Sequence, residues 1–226
     1  MNLFINDIPV TILKPGREPE PGAYNVALDA RDSQITRATL INHTWIHHAG
    51  IKHLDTLLDL SNSKVPIDLL SLAVSVEDYN EVKLYLKSKF KIIRAAGGLV
   101  RKKDRSLMIY RMKKWDLPKG KKEPGEKWKQ TAEREIAEEC NVKVKVGEKI
   151  CTTWHTYTMN KNAMLKKTRW YKMELVDDSR MKASAEEDIE DVRWMTQKEV
   201  YHALENSYRS IRFVFEEYYR KAEAVG

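Results

Sequence analysis

The spacing of apolar side chains predicts several strands and helices in the first 90 residues. The run LFINDIPVTIL predicts a β-hairpin that turns at Asn6 and Asp7, and KPGREPEPG predicts a turn-rich loop. The run LLSLAVSV predicts a short buried strand, and VEDYNEVKLYLKSKF predicts a helix. The apolar positions of that helix are Val82, Leu84, Tyr85, Leu86 and Phe90. Residues 1–90 are therefore predicted to form a small α/β module of unknown role.

The remainder of the chain, residues 91–226, is also predicted to contain both strands and helices. KIIRAAGGLV and SLMIYRM predict strands paired across the turn RKKDR. KVKVGEKICTTWHTYTM and LKKTRWYKMELV predict two more strands, joined at MNKNAM. EEDIEDVRWM predicts a loop that enters a strand, and TQKEVYHALENS and SIRFVFEEYYRKAEA predict two helices, the first with Thr196 as its N-cap.

Three glutamates fall on one side of a further predicted helix in this second part. Glu135, Glu138 and Glu139 stand at i, i+3 and i+4, so a helix stacks their carboxylates along one edge. Such hard oxygen ligands suit Mg²⁺ or Mn²⁺. The apolar stripe that anchors the helix is Trp128, Ala132 and Ile136. The plain alternative is a solvated helix with ion pairs such as Arg134 with Glu138.

The residues before this helix favour the metal-binding interpretation. The segment WDLPKGKKEPGE contains residues that interrupt regular structure, namely Pro118, Gly120, Pro124 and Gly125. We expect it to form a loop that can approach a phosphate group.

The loop and the helix together carry a spaced signature. The pattern G-x5-E-x7-R-E-U-x-E-E-x-G-U, in which U is a bulky apolar residue, is matched by Gly120, Glu126, Arg134, Glu135, Ile136, Glu138, Glu139 and Val142. The chain thus resembles the Nudix hydrolases over roughly residues 92–215. Asn141 replaces the last glycine of the pattern, just past the helix end, where a left-handed residue is needed. Because Asn tolerates that conformation, we expect the turn to be preserved.

The resemblance implies a fold, a cofactor and a set of site residues. It implies an α/β/α sandwich with a mixed sheet and a phosphoanhydride hydrolase that uses Mg²⁺ or Mn²⁺. The implied metal ligands are Glu135, Glu138 and Glu139, with contributions from Gly120 and Glu126. The implied catalytic residues are Glu135, Arg134, Glu138 and Glu187. Arg134 would orient a carboxylate, and one of the glutamates would act as the base. For Glu187 a plain surface position is the alternative.

The substrate is narrowed by the same resemblance. WDLPKGKKEPGE is similar to the branch that acts on dinucleoside polyphosphates, oxidised nucleoside triphosphates or diphosphoinositol polyphosphates. The expected substrate-binding residues are Lys119, Lys121, Lys122, Tyr157, Lys167 and Arg169, although the last two could face solvent. The favoured function is hydrolysis of a dinucleoside polyphosphate or an oxidised or ordinary nucleoside triphosphate. A nucleotide sensor without catalysis and an RNA 5′-end pyrophosphohydrolase remain the alternatives.

Composition and charge add limits on partners and location. The 226 residues are 42% hydrophobic and 32% charged, as in ordinary soluble domains. The net charge of +7 lies wholly in residues 95–226, and ten cations fall within 101–122, which favours a polyanionic small molecule. We expect no membrane contact and no nucleic acid apart from an RNA 5′ end, and a homodimer is left open. The N-terminus has no signal-peptide pattern, so a cytoplasmic location is the default expectation.

The positions of the cysteines and histidines in the sequence do not indicate a second metal-binding or catalytic site. Cys140 and Cys151 lack the spacing of a zinc site or a disulfide framework, and we assign Cys140 no role beyond packing. The segment NHTWIHHAG holds His43, His47 and His48, which could serve as metal ligands or as a base. No carboxylate or Cys lies nearby in sequence, so we interpret these histidines as structural, on a buried strand or helix face.

Overall fold

The computed structural model describes residues 1–62 and 68–224, with backbone only for 60–62, and the chain divides into two compact units. The first unit consists of Met1–Ile92 and Trp154–Lys166. The second unit consists of Ile93–Thr153 and Lys167–Gly226. The segment 154–166 lies inside the stretch that the sequence assigns to the second domain. Within the described residues, no helix is both long and apolar enough to cross a membrane.

The first unit is built on a sheet in which parallel and antiparallel pairs occur together. Its elements are β1 (Asn2–Ile5), β2 (Ile8–Leu13), β3 (Val26–Asp29), β4 (Asn42–Ala49), α1 (Ile51–Asn62), β5 (Leu69–Val76) and α2 (Tyr79–Ser88). The strand order is β1-β2-β5-β4-β3, antiparallel for the first pair and parallel for the others. The predicted hairpin is confirmed, because Asn6 and Asp7 have φ angles of 50° and 64° between paired Ile5 and Ile8.

Helix α2 lies within the segment predicted to be helical, and its apolar positions are divided between two faces. Asp78 caps it by accepting hydrogen bonds from the backbone N–H groups of Asn80 and Glu81. Val82 and Leu86 are buried in the core of the first unit, but Leu84 is 67% exposed. Leu84 lies two positions from each of them, which is about 200° around a helix, so the three side chains cannot share one face.

The second unit holds the remaining helices and strands, although two of these strands have one end in the segment 154–166 of the first unit. Its elements are β6 (Lys91–Lys102), β7 (Arg105–Arg111), β8 (Lys114–Asp116), β9 (Lys119–Lys121), α3 (Trp128–Cys140), β10 (Lys143–Met159), β11 (Asn162–Asp177), a 3₁₀ helix (Ala185–Glu187), β12 (Ile189–Met195), α4 (Gln197–Glu205) and α5 (Arg209–Glu223). Its strand order is β12-β7-β6-β11-β10, with β8 paired to β7 and β9 to β6. Thr196 caps α4 through a capping box with Glu199, as predicted.

Alternating side chains on these strands bury both faces of the sheet. Val100 and Leu107 pack in one cluster with Ile136 of α3, whereas their neighbours Leu99 and Met108 pack in another with residues of α4 and α5. Because successive strand residues point to opposite faces, α3 covers one face and the C-terminal helices cover the other. The predicted α/β class and helix–sheet–helix sandwich are confirmed.

The segment predicted to be a loop before α3 is partly strand. β9 pairs with β6 at Gly97↔Lys119 and Ala96↔Gly120, so the irregular parts of the segment are residues 117–118 and 122–127. A Cβ atom on Gly97 would lie 2.3 Å from the carbonyl oxygen of Pro118. Glycine at this position therefore lets the proline-containing segment join the sheet, which turn-residue content alone did not reveal.

Candidate active site

Helix α3 positions the predicted carboxylates, and its two ends are well defined. At its start, the Gln130 side chain accepts a 2.9 Å hydrogen bond from the backbone N–H of Lys127. At its end, Asn141 has φ 52° and ψ 42° and donates its N–H to the Ala137 carbonyl. The Asn141 side chain also donates to the carbonyl oxygen of Arg180 at 2.7 Å. The expectation that asparagine replaces glycine at this left-handed position is confirmed.

The core packing of α3 directs two of its glutamates inward. Ala132 and Ile136 are fully buried against the sheet, and this fixes the rotation of the helix. Glu135 is only 6% exposed and Glu139 only 1% exposed, whereas Glu138 faces outward. Burying carboxylates is costly unless they have partners, so these two groups indicate a site with a specific role.

Arg134 connects the irregular segment to the helix. Its guanidinium donates to Glu126 at 2.9 Å, to Glu138 at 2.6 Å and to the carbonyl oxygen of Lys121 at 3.0 Å. It also forms a 2.9 Å ion pair with Glu135. The hydrogen bonds from Arg134 lower the pKa of Glu126 to about 2. Arg134 thus contacts three carboxylates, whereas a solvated helix would need only its ion pair with Glu138.

Glu139 is held at the inner end of the site. Its Oε2 accepts a 2.9 Å hydrogen bond from the backbone N–H of Lys119, and Arg111 Nη1 lies 3.7 Å from its Oε1. Burial raises the pKa of Glu139 to about 7, against the opposing attraction of the Lys119 ammonium. The site therefore contains a carboxyl group that changes charge near neutral pH.

Two residues of this inner region were not predicted from the sequence. Asp116 is buried, and its Oδ2 lies 2.5 Å from the Lys119 ammonium. Arg111 approaches Glu139 from the end of β7. Neither belongs to the spaced signature, and only the register of β7, β8 and β9 brings them to α3.

Gly120 lies directly against a carboxylate of the helix. A Cβ atom built on Gly120 would lie 1.9 Å from Oε2 of Glu135. Any side chain here would displace Glu135 or the strand, so the absence of a Cβ is a geometric requirement of the site.

Glu187 lies on the 3₁₀ helix, in a segment attached to the end of α3. The backbone N–H of Ser184 donates to the Glu139 carbonyl at 3.2 Å, and that of Lys182 donates to the Cys140 carbonyl at 3.0 Å. Burial raises the pKa of Glu135, and the charge of Glu187 adds to the shift. Glu187 is exposed but close enough to act on Glu135 electrostatically.

The predicted substrate-binding residues are less closely grouped. The Lys119 ammonium is engaged by Asp116, Lys121 is exposed, and the Lys122 ammonium donates to the Glu123 carbonyl at 3.1 Å. The other three lie further along the chain. The Lys167 ammonium lies 5.5 Å and the Arg169 guanidinium 4.1 Å from the ring centre of Trp128, while Tyr157 belongs to the segment 154–166 of the first unit.

The donor set fits a hard divalent cation. The groups gathered around α3 are carboxylate oxygens, which Mg²⁺ and Mn²⁺ prefer over softer ligands. Burial raises the pKa of the Cys140 thiol, and its side chain packs in the core.

The chain is similar to several known proteins. Three solved structures resemble the chain: a NUDIX hydrolase from Nitrosomonas europaea (19% identity, 58% of this chain, 90% of that chain, TM-score 0.48), an Ap4A hydrolase of C. elegans in a binary complex (20%, 58%, 98%, 0.47) and a MutT protein from Methanosarcina mazei Go1 (22%, 59%, 97%, 0.47). No curated protein matches the chain. The model of the NUDIX domain matches residues 91–215, more than half of the sequence. The chain belongs to the Nudix hydrolase family.

Proposed function

We propose that the second unit hydrolyses a phosphoanhydride bond in a nucleoside polyphosphate or a related highly phosphorylated compound, with Mg²⁺ or Mn²⁺ as cofactor. Dinucleoside polyphosphates and ordinary or oxidised nucleoside triphosphates are the favoured substrates. The observation that carries the proposal is the pair of buried carboxylates, Glu135 and Glu139, with the Gly120 backbone against the first of them.

The proposed ligands of the cation are Glu135, Glu138 and Glu139, with Gly120 and Glu126 contributing. A bound divalent cation supplies charge neutralisation of the phosphate groups and polarisation of the bond to be cleaved. Arg134 orients three of these carboxylates through the contacts described above, and so acts as a positioning residue.

The base is proposed to be Glu187 or a helix glutamate. Glu187 is exposed on its 3₁₀ helix, so its carboxylate is accessible to an attacking water molecule and can accept its proton. Its distance from Glu135 is short enough to influence the pKa of that residue. The competing assignments are separated by Glu187→Gln, which should abolish proton transfer only if Glu187 is the base.

Arg111 supports the binding of phosphate at this site. Its Nε atom is buried and has no hydrogen-bond partner within the described residues. An unpaired buried donor on a guanidinium is costly, and a phosphate oxygen would satisfy it with a charge-assisted hydrogen bond. For the outer phosphates we propose Lys121 and Lys122, with Lys119, Lys167, Arg169 and Tyr157 as further candidate contacts.

The experiment is a hydrolysis panel run with Mg²⁺. The substrates are a dinucleoside tetraphosphate, ordinary and oxidised nucleoside triphosphates, a diphosphoinositol polyphosphate and a 5′-triphosphorylated RNA. Metal-dependent cleavage of one of the small polyphosphates is expected, and excess chelator should abolish it. Cleavage of the RNA alone would support the 5′-end pyrophosphohydrolase. Tight nucleotide binding with no cleavage of any substrate would support the sensor and contradict the proposal.

A further inference from the structure

The first unit contains a compact group of metal-binding side chains that belongs to neither α3 nor its loop. His47 and His48, from β4, and Asp29, from β3, offer ligand atoms that lie within 4.8 Å of one another. The two Nδ1 atoms are 3.1 Å apart. Oδ2 of Asp29 lies 3.3 Å from Nδ1 of His48 and 3.7 Å from Nδ1 of His47. All three residues are partly exposed, so the group can be reached from solvent.

The backbone of β4 is irregular where it brings the two imidazoles together. Consecutive residues of a regular strand point to opposite faces of the sheet, so adjacent histidines would normally diverge. Here the register with β5 shifts between Ile46 and Ala49, and His48 has a φ of 57°. A left-handed conformation is unfavourable at a non-glycine residue. This conformation turns the side chain of His48 to the same side of the sheet as that of His47.

The carboxylate reaches the histidines through sheet pairing. β3 and β4 run parallel, and Asp29 stands opposite His47 in their register. This neighbour could not be seen from the sequence, where the two residues are far apart. Asp29 is therefore close to His47 and His48 in space, although no carboxylate is close to them in sequence.

The spacing of the three atoms matches that required around one ion. Bonds of about 2.0–2.1 Å in a tetrahedral zinc site place neighbouring ligand atoms about 3.3 Å apart. The observed separations of 3.1, 3.3 and 3.7 Å bracket that value. Two imidazoles and one carboxylate favour Zn²⁺ and similar transition-metal ions, whereas Mg²⁺ prefers oxygen ligands alone. We propose that Asp29, His47 and His48 form a second metal site, selective for Zn²⁺ over Mg²⁺.

Arg31 holds the carboxylate in position for this role. It donates from Nη2 to Oδ2 of Asp29 at 2.5 Å and from Nε to Oδ1 at 3.0 Å. Because a carboxylate can accept several contacts, the side of Oδ2 that faces the histidines is still able to bind an ion. An outer partner that orients a ligand in this way is a common feature of metal sites.

A cavity beside the histidines provides room for the remaining ligand of the ion. Its volume is about 300 Å³, and His47 and His48 form part of its wall. Glu18 and Glu77 also line it, together with Arg17, so acidic groups outnumber basic ones there. With three protein ligands, a tetrahedral ion keeps one position for water or a small molecule, and this position would face the cavity.

The test is a zinc titration of the full-length protein in excess Mg²⁺, which keeps the oxygen ligands of the second unit occupied. Wild-type protein should bind one Zn²⁺ ion per chain tightly at this site. His47→Ala and His48→Ala should each weaken that binding by about 100-fold or more. The matched control is His43→Ala, because His43 lies on the same strand but is bonded to Ser71 at 2.7 Å. It should bind as the wild type does.

Two results would overturn the proposal. One is the lack of tight Zn²⁺ binding by the wild type under these conditions, and the other is wild-type affinity in either His47→Ala or His48→Ala. X-ray absorption of the wild type with one equivalent of Zn²⁺ gives an independent reading if a variant fails to fold. Imidazole scattering from two ligands is expected, and a shell made of oxygen alone would refute the site.

Discussion

At the scale of single residues, the second unit depends on how each buried carboxylate is compensated. Glu135 shares Arg134 with Glu138 and Glu126, whereas Glu139 relies on the Lys119 backbone and the more distant Arg111. Glu135 and Glu139 therefore differ in their partners, although they lie one turn apart on the same helix. Burial raises the pKa of Glu139 to about 7, although the Lys119 ammonium and backbone N–H oppose this shift.

The first prediction concerns the stability of the protein in excess chelator. Glu139 has an ordinary pKa of 4.5 and a folded-state pKa of about 7, so the folded state binds the proton more tightly. This tighter proton binding stabilises the folded state by an amount on the order of 3 kcal/mol. The stabilisation is complete below pH 4.5 and is lost as the pH rises through 7. Glu139→Gln should lack this loss. Urea unfolding from pH 4.5 to 8 measures it, and identical pH profiles for the two proteins would contradict the assignment.

The second prediction concerns catalysis by the same helix. Glu138→Gln and Glu139→Gln keep the shape of the side chain and remove its charge, so each should lower kcat by roughly 10² or more. The matched control is Glu133→Gln, an exposed glutamate of α3, which should alter stability by no more than about 0.5 kcal/mol and leave kcat unchanged. Steady-state kinetics on the best substrate of the panel provide the measurement. Near wild-type rates in both test variants would refute the site.

At the scale of elements, local sequence signals predicted where helices end and where hairpins turn. The remaining features of the site depend on pairing between strands that are distant in sequence. The turn at Asn6 and Asp7 and the left-handed Asn141 each depend on a few adjacent residues, so the sequence was sufficient. The strand character of Lys119–Lys121 depends on Gly97, and the placement of Arg111 depends on strand register. Such pairings have no signature within a short window, which is why Asp116 and Arg111 were missed.

The third prediction concerns the end of α3. Asn141→Ala places a side chain with poor left-handed tolerance at φ 52° and removes the hydrogen bond to Arg180. We expect a loss of about 1–2 kcal/mol in the free energy of unfolding. Asn141→Gly is the control: it loses the same side-chain bond but accepts the conformation, so it should be less destabilising. Urea unfolding compares them, and an equal loss in the two variants would show that the side-chain bond, not the backbone, is decisive.

At the scale of the whole molecule, the two compact units are not consecutive in sequence. The segment 154–166 belongs to the first unit, although it follows the entire Nudix signature and helix α3 in the sequence. Trp154 and Leu165 from this segment are buried in the same cluster as Leu3 and Val74. The sequence could not indicate this division, because the apolar pattern of β10 and of β11 continues without a break across the boundary between the units.

The fourth prediction follows from this division. A protein consisting of residues 91–226 would expose Trp154 and Leu165, which are otherwise 6% and 1% exposed. It should therefore associate or precipitate more readily than the full chain. Light scattering at equal concentration measures the difference. The control is the same fragment with Trp154→Ser and Leu165→Ser, which should remain soluble, and equal solubility of both fragments would argue against the apolar surface as the cause.

The segment 154–166 also affects how the protein folds during its synthesis. Residues enter solution from the ribosome in order, and domains made of consecutive residues can fold one after another. The first unit cannot be completed until residue 166 has emerged, because Trp154–Lys166 is part of it. By then Glu135, Glu138 and Glu139 have already been made. The first unit therefore remains incomplete while helix α3 of the second unit is translated.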